Sequence, residues 1–165
     1  MSWQNPPAWR RQQILRETRT VAMVGASANP ARASNFVATY LLASTGFEVY
    51  FVNPHATEIL GRPVYPSLAE LPVVPDLVDV FRRPEDLSGV LDEVLALRAE
   101  AGQETRPRTF WLQFGLFDVE LARRAEAAGV EVVMDRCLKV EHARFAGGLH
   151  LAGFNTGVIT SRRRD

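Results

Sequence analysis

Short apolar runs alternate with stretches of helical periodicity about five times along this chain, and several of the runs stop at a glycine or an Asn-Pro step. Val21-Ala22-Met23-Val24 ends in Gly25, Val49–Val52 ends in Asn53-Pro54, Leu77–Phe81 leads to Pro84, and Thr109–Phe114 ends in Gly115. Val130–Met134 is the last such run. Unbroken apolar runs of this length read as strands buried on both faces, which is the habit of parallel sheets. Between them, helices are expected over Ala8–Thr18, from about Phe36 to Gly46, over Glu85–Glu100 and over Asp118–Ala128, with Asp118 as a cap and Gly129 as a stop. A short strand at Pro63–Tyr65, a short helix near Ser67–Leu71 and a further segment over Leu138–Arg144 complete the reading. Strand–helix alternation specifies an α/β fold, doubly wound, with a mainly parallel sheet of five to six strands and helices on both faces.

In such sheets right-handed crossovers gather the strand carboxyl ends along one edge, and ligands bind there, where the strand order reverses. The informative residues are therefore those just after each strand. After the first come Gly25, Ala26, Ser27, Asn29, Pro30 and Arg32. Only Gly25 fills a glycine position of a dinucleotide-binding turn, and Ser27 stands where a second glycine would be. A glycine there permits a sharp turn, the following N–H groups and the helix start attract an anion, and Ser27 and Arg32 add donors. An ordinary turn with a capping serine fits the same residues.

After the second strand, a nicotinamide-dinucleotide enzyme carries an acid that holds the ribose hydroxyls. Here Asn53, Pro54 and His55 follow, with no carboxylate in the turn, which argues against a dehydrogenase. Pro54 is either a rigid wall beside a ligand or a strand terminator. Phe81, Arg82 and Arg83 follow the next strand, either as a phosphate-facing pair or as solvated charges. Gln113 and Gly115 offer a hydrogen-bonding group and a place for close backbone approach, whereas the nearby aromatics read as core. Asp135 and Cys137 end the series, and Cys137 is either a nucleophile or a packed thiol.

Catalytic residues do not announce themselves. The three histidines have no metal-ligand spacing, and the single cysteine rules out an internal disulfide and a cysteine zinc cluster. Lysine plus arginine and aspartate plus glutamate number 19 each, so the chain lacks the basic excess that nucleic acid or membrane surfaces demand. No apolar run reaches bilayer length and no secretory leader is evident, so a cytoplasmic location is expected.

Five motifs appear in an order that resembles the small bacterial and archaeal CoA-binding proteins, which are similar to the N-terminal domain of the succinyl-CoA synthetase alpha subunit. They are Val24-Gly25-Ala26-Ser27 with Asn29-Pro30 and Arg32, Val52-Asn53-Pro54, Asp76 through Pro84, Trp111-Leu112-Gln113-Phe114-Gly115, and Val133 through Leu138. The resemblance spans about residues 8–145 and implies a Rossmann-like domain over residues 1–145 holding coenzyme A. It implies that the phosphates meet Gly25, Ala26, Ser27 and Arg32, and that the adenosine lies by Asn53 and Pro54. The pantetheine then runs past Phe81, Arg82, Gln113 and Gly115, with Cys137 at the same edge. The synthetase carries a phosphorylated histidine and a second domain after this one, and that chemistry is expected to be missing here. The expected function is therefore a non-catalytic carrier, sensor or accessory module for CoA or an acyl-CoA, open to a protein partner or self-association. The alternatives are a nicotinamide-dependent oxidoreductase or acyl transfer through Cys137. Residues 146–165 are an extension, with a hairpin pairing 147–151 with 157–160 as one expectation.

Overall fold

A computed structural model of the chain describes residues 3–100 and 106–148. Gly147 and Gly148, expected in the first strand of the extension's hairpin, instead end a helical turn over Arg144–Gly148, where the chain continues coiling from the preceding helix. The rest of that hairpin and the basic end at 162–164 lie outside the described residues.

The chain begins with helix α1 (Ala8–Glu17), then strand β1 (Thr20–Val24), helix α2 (Ala33–Ser44) and strand β2 (Glu48–Val52). A tight hairpin follows, made of β3 (Glu58–Ile59) and β4 (Arg62–Tyr65). Next come β5 (Leu77–Val80), α3 (Leu87–Glu100), β6 (Thr109–Leu112), α4 (Val119–Ala127), β7 (Glu131–Val133) and α5 (Leu138–Ala143). The seven strands form one sheet in the order β3-β4-β2-β1-β5-β6-β7. All neighbours are parallel except β3 and β4. The α/β Rossmann-like fold with a mainly parallel sheet is therefore as the sequence implied. The extra strand is the two-residue β3, too short to leave a periodic signature. It is joined to β4 by Leu60 and Gly61, both at positive φ.

β1 is buried along its whole length because layers cover both faces of the sheet. Val21, Met23, Leu77, Trp111 and Val133 point to the side that carries α1, α2 and α5, together with Ile14, Val37, Leu41 and Leu138. Ala22, Val24, Val78, Val80, Phe110 and Leu112 point to the opposite side and pack on Leu87, Leu91 and Val94 of α3 and Leu121 and Ala125 of α4. Alternate residues of one strand thus serve two cores, which explains why these strands show no polar alternation.

Two polar anchors hold the layers. The Arg11 guanidinium of α1 meets Glu141 of α5 at 2.7 Å, both largely buried. At the amino edge of the sheet, buried Asp76 accepts from the backbone N–H groups of Arg19 and Thr20 at 2.8 and 3.2 Å.

The strand order fixes where a ligand can sit. The connection leaving β1 climbs to α2 on one face, while that leaving its neighbour β5 descends to α3 on the other. The crevice between these two diverging loops is the switch point of the sheet.

Candidate functional site

At that crevice the loop after β1 meets the ends of β2 and β5. The Gly25 N–H donates to Val52 O at 2.9 Å, and the Phe81 N–H donates to Val24 O at 2.8 Å, so the parallel ladders continue into the loops. Gly25 has φ +88°, a region open to glycine. A Cβ built there would lie 2.8 Å from the Phe81 carbonyl oxygen and 2.9 Å from Arg82 Cδ. The glycine is therefore required by the β1–β5 contact as well as by the turn. A side chain here would collide with neighbouring backbone before it reached the open cleft.

Beyond Gly25 the loop is stitched by its own polar groups. Ser34 Oγ accepts from the Ser27 N–H at 3.0 Å, Ser27 Oγ accepts from the Asn29 N–H at 3.0 Å, and the Asn35 amide donates to Ser27 O at 3.1 Å. With a lone pair used by Asn29, the Ser27 hydroxyl keeps its hydrogen to donate. Asn29 Oδ1 accepts from the Ala31 N–H at 2.9 Å, tightening the approach to α2.

These bonds enclose an open cleft of about 350 Å³ lined by Gly25, Ser27, Arg32, Ala33, Ser34, Asn53 and Phe81. Its floor is the start of α2. Arg32 is the N-cap residue, no side chain caps the helix, and its first turn holds no acid. An uncapped helix start carries unpaired N–H groups and a partial positive charge. The Arg32 side chain is exposed and has no partner among the described residues. Two donor sets suited to an anion therefore converge on one cleft, and they fit a phosphate-bearing cofactor.

Five of the residues singled out in the sequence line this cleft: Gly25, Ser27, Arg32, Asn53 and Phe81. Ala26 lies beneath it, fully buried, and its carbonyl accepts from Asn53 Nδ2 at 2.7 Å. Asn53 Oδ1 in turn accepts from the His55 N–H at 2.7 Å. Asn53 thus makes one bond to the scaffold at each polar end and keeps one N–H and one lone pair free. Pro54 stands outside the cleft, exposed, in the turn after β2. Arg82 lies against the Gly25 turn, and its guanidinium meets Asp86 at 3.1 Å, an acid that Arg83 also reaches at 3.3 Å. Gly115 sits farther along the edge at φ +95°, its N–H donating to Asp135 Oδ1 at 2.7 Å. Gln113 and Cys137 occupy that same outer stretch, Gln113 buried and Cys137 half-buried as the residue before α5.

Two lining residues, Ala33 and Ser34, were not foreseen. Helical periodicity becomes visible only at Phe36, but Ser34-Asn35, polar residues suited to a helix start, were the available signal. A buried acid lies within the sheet, between Met23 and Trp111 of the flanking strands. Asp79, in the middle of β5, is 0% exposed, and neither of its carboxylate oxygens has a hydrogen-bond partner among the described residues. Burial pushes its pKa well above the usual carboxylate range.

Comparison with known proteins identifies the family. Residues 19–143 match the family model described as a CoA binding domain. An uncharacterized protein of Bacillus subtilis, YneT, is 38% identical over 140 residues, covering 85% of this chain and 97% of that one. A hypothetical protein from Pyrococcus horikoshii superposes with a TM-score of 0.76 at 32% identity, covering 89% of this chain and 100% of that chain. The ADP-forming acetate–CoA ligase I of Archaeoglobus fulgidus is 30% identical over 141 residues, 78% of this chain but only 19% of the ligase. Among the described residues no helix is long and apolar enough to cross a membrane. With its Rossmann-like sheet and a phosphate-suited cleft at the switch point, this chain belongs to the CoA binding domain family.

Proposed function

We propose that this protein binds coenzyme A or an acyl-CoA in the cleft between the β1 and β5 loops and serves as a non-catalytic carrier, sensor or accessory module. One observation carries the reading: the uncapped, acid-free start of α2 and the unpaired Arg32 face the same cleft as the Gly25 turn. The backbone N–H groups of Ala33 and Ser34, the Ser27 hydroxyl and Arg32 hold phosphate oxygens. The adenosine lies toward Asn53 and Pro54, and the pantetheine arm follows the strand ends past Phe81 and Arg82 to Gln113, Gly115 and Cys137. When bound, CoA supplies a thiol on which an acyl group is carried. The similarity to one portion of an acetate–CoA ligase supports the choice of ligand. A nicotinamide dinucleotide is disfavoured because no acid ends β2, where Asn53 stands instead.

Calorimetric titration of the reduced protein with CoA, acetyl-CoA, NAD and NADP tests the assignment, together with mass spectrometry of any ligand released on denaturation. CoA or acetyl-CoA is expected to bind well ahead of both dinucleotides. Comparable or tighter binding of NAD overturns the reading.

A further inference from the structure

Cys137 is the only cysteine of the chain, and it is half-buried against the core on the α1/α2/α5 side of the sheet. Its position is fixed by its neighbours. The Trp111 indole N–H donates to the carbonyl oxygen of Arg136 at 2.9 Å, and the Arg136 N–H donates to Leu112 O at 3.3 Å. The chain leaving β7 is thereby laid across the end of β6, and Cys137 follows directly.

A second, independent feature lies at the same strand end. Gln113 is 9% exposed, and its Oε1 has no hydrogen-bond partner among the described residues. Its N–H donates to Val80 O at 3.2 Å, which extends the β5–β6 ladder and sets Gln113 across from Phe81, a wall of the cleft. Two residues beyond Trp111 on the same strand, Gln113 faces the side on which Trp111 holds Arg136. Buried amide oxygens nearly always have a donor, so an orphan at the ligand edge marks a place where a ligand N–H completes the set. The terminal amide N–H of pantetheine stands two carbons from the CoA sulfur. An acceptor for that N–H at the strand end that the chain to Cys137 crosses would carry the sulfur toward the thiol.

Resting on the CoA reading above, we propose that Cys137 is a site of thiol–disulfide exchange with CoA-containing disulfides, with Gln113 receiving the terminal pantetheine amide. Cys137 Sγ, as thiolate, attacks the CoA sulfur of CoA–S–S–R. The Cys137 Sγ–S bond forms and the original S–S bond breaks. The departing sulfur takes the electron pair and then the proton that Cys137 gave up, leaving as R–SH. One disulfide is consumed and one is formed, and no further oxidant enters.

The experiment uses the full chain. Calorimetry under reducing conditions first measures binding of CoA, and the reduced protein is then exposed to CoA disulfide or to glutathione disulfide. Intact-mass spectrometry follows adduct formation over time, and dithiothreitol tests reversal. Because binding converts a bimolecular step into an intramolecular one, adduct formation with CoA disulfide is expected to be at least about tenfold faster than with glutathione disulfide. It should also saturate with concentration, and the preference should vanish in urea. CoA binding with no adduct, or with equal rates for the two disulfides, overturns the exchange site and leaves the CoA reading standing. Absence of CoA binding overturns the CoA reading and the exchange site with it.

Discussion

Asn53 Nδ2 donates to Ala26 O across 2.7 Å, joining the end of β2 to the turn that leaves β1. The position that commonly holds an acid in dinucleotide enzymes here braces the Gly25 turn from below. A carboxylate cannot donate to a carbonyl, so Asn53→Asp opposes two acceptors and adds a negative charge beside an anion site. Loss of this part-buried bond should cost about 1–3 kcal/mol of stability. Denaturant unfolding and CoA titration should both register the change, with weaker CoA binding and no gain in NAD affinity. An unperturbed variant would show that the Asn53–Ala26 bond does not organise the turn.

Gly25 gives a sharper expectation. Its positive φ and the Phe81 carbonyl oxygen 2.8 Å from a built Cβ penalise any side chain. Gly25→Ala combines left-handed strain of about 1–2 kcal/mol with overpacking of about 1–3 kcal/mol. Thermal unfolding is expected to show a lower midpoint before any ligand is added, and CoA binding is expected to fall as well. A variant as stable as the parent would mean that the β1–β5 loop contact is looser than described.

Arg32 separates binding from folding. Its side chain is exposed and makes no hydrogen bond or ion pair with a described residue, so Arg32→Ala should leave the unfolding midpoint nearly where it is. Charge-assisted bonds contribute about 1.5–3 kcal/mol each, so CoA affinity should drop by about tenfold or more. Dephospho-CoA reports which phosphate is met. An equal loss for both ligands places Arg32 on the pyrophosphate, and a smaller loss for dephospho-CoA places it on the ribose phosphate. No loss for either removes Arg32 from the site.

Asp79 predicts a pH dependence. Its folded pKa is raised by burial, so the folded state keeps a proton that the unfolded state releases. Unfolding becomes more favourable as pH rises from the unfolded carboxyl pKa toward the folded one, and Asp79 therefore costs stability at neutral pH. Asp79→Asn has nearly the same shape and no charge to bury. Calorimetric midpoints should be similar for the two proteins near pH 4, with the variant pulling ahead by pH 8. The opposite trend would mean that the Asp79 carboxylate is stabilised by a partner.

The sequence by itself determined the α/β class, the alternating order of the main elements and the loops that line the cleft. These are local properties. Strands buried on both faces announce themselves as apolar runs, helices by period, and turns by glycine, proline and asparagine. Gly25, Ser27, Arg32, Asn53 and Phe81 were legible because a parallel sheet sends every strand end to one edge. What the tertiary structure decided is which of those ends converge. β5 pairs beside β1, and this sets Phe81 and Arg82 against Gly25, whereas Gln113 and Cys137 lie one strand or more away. The burial of Asp79, the sharing of Asp86 by two arginines and the bracing role of Asn53 were invisible for the same reason. Each depends on residues brought together across strands, at separations that no local period encodes.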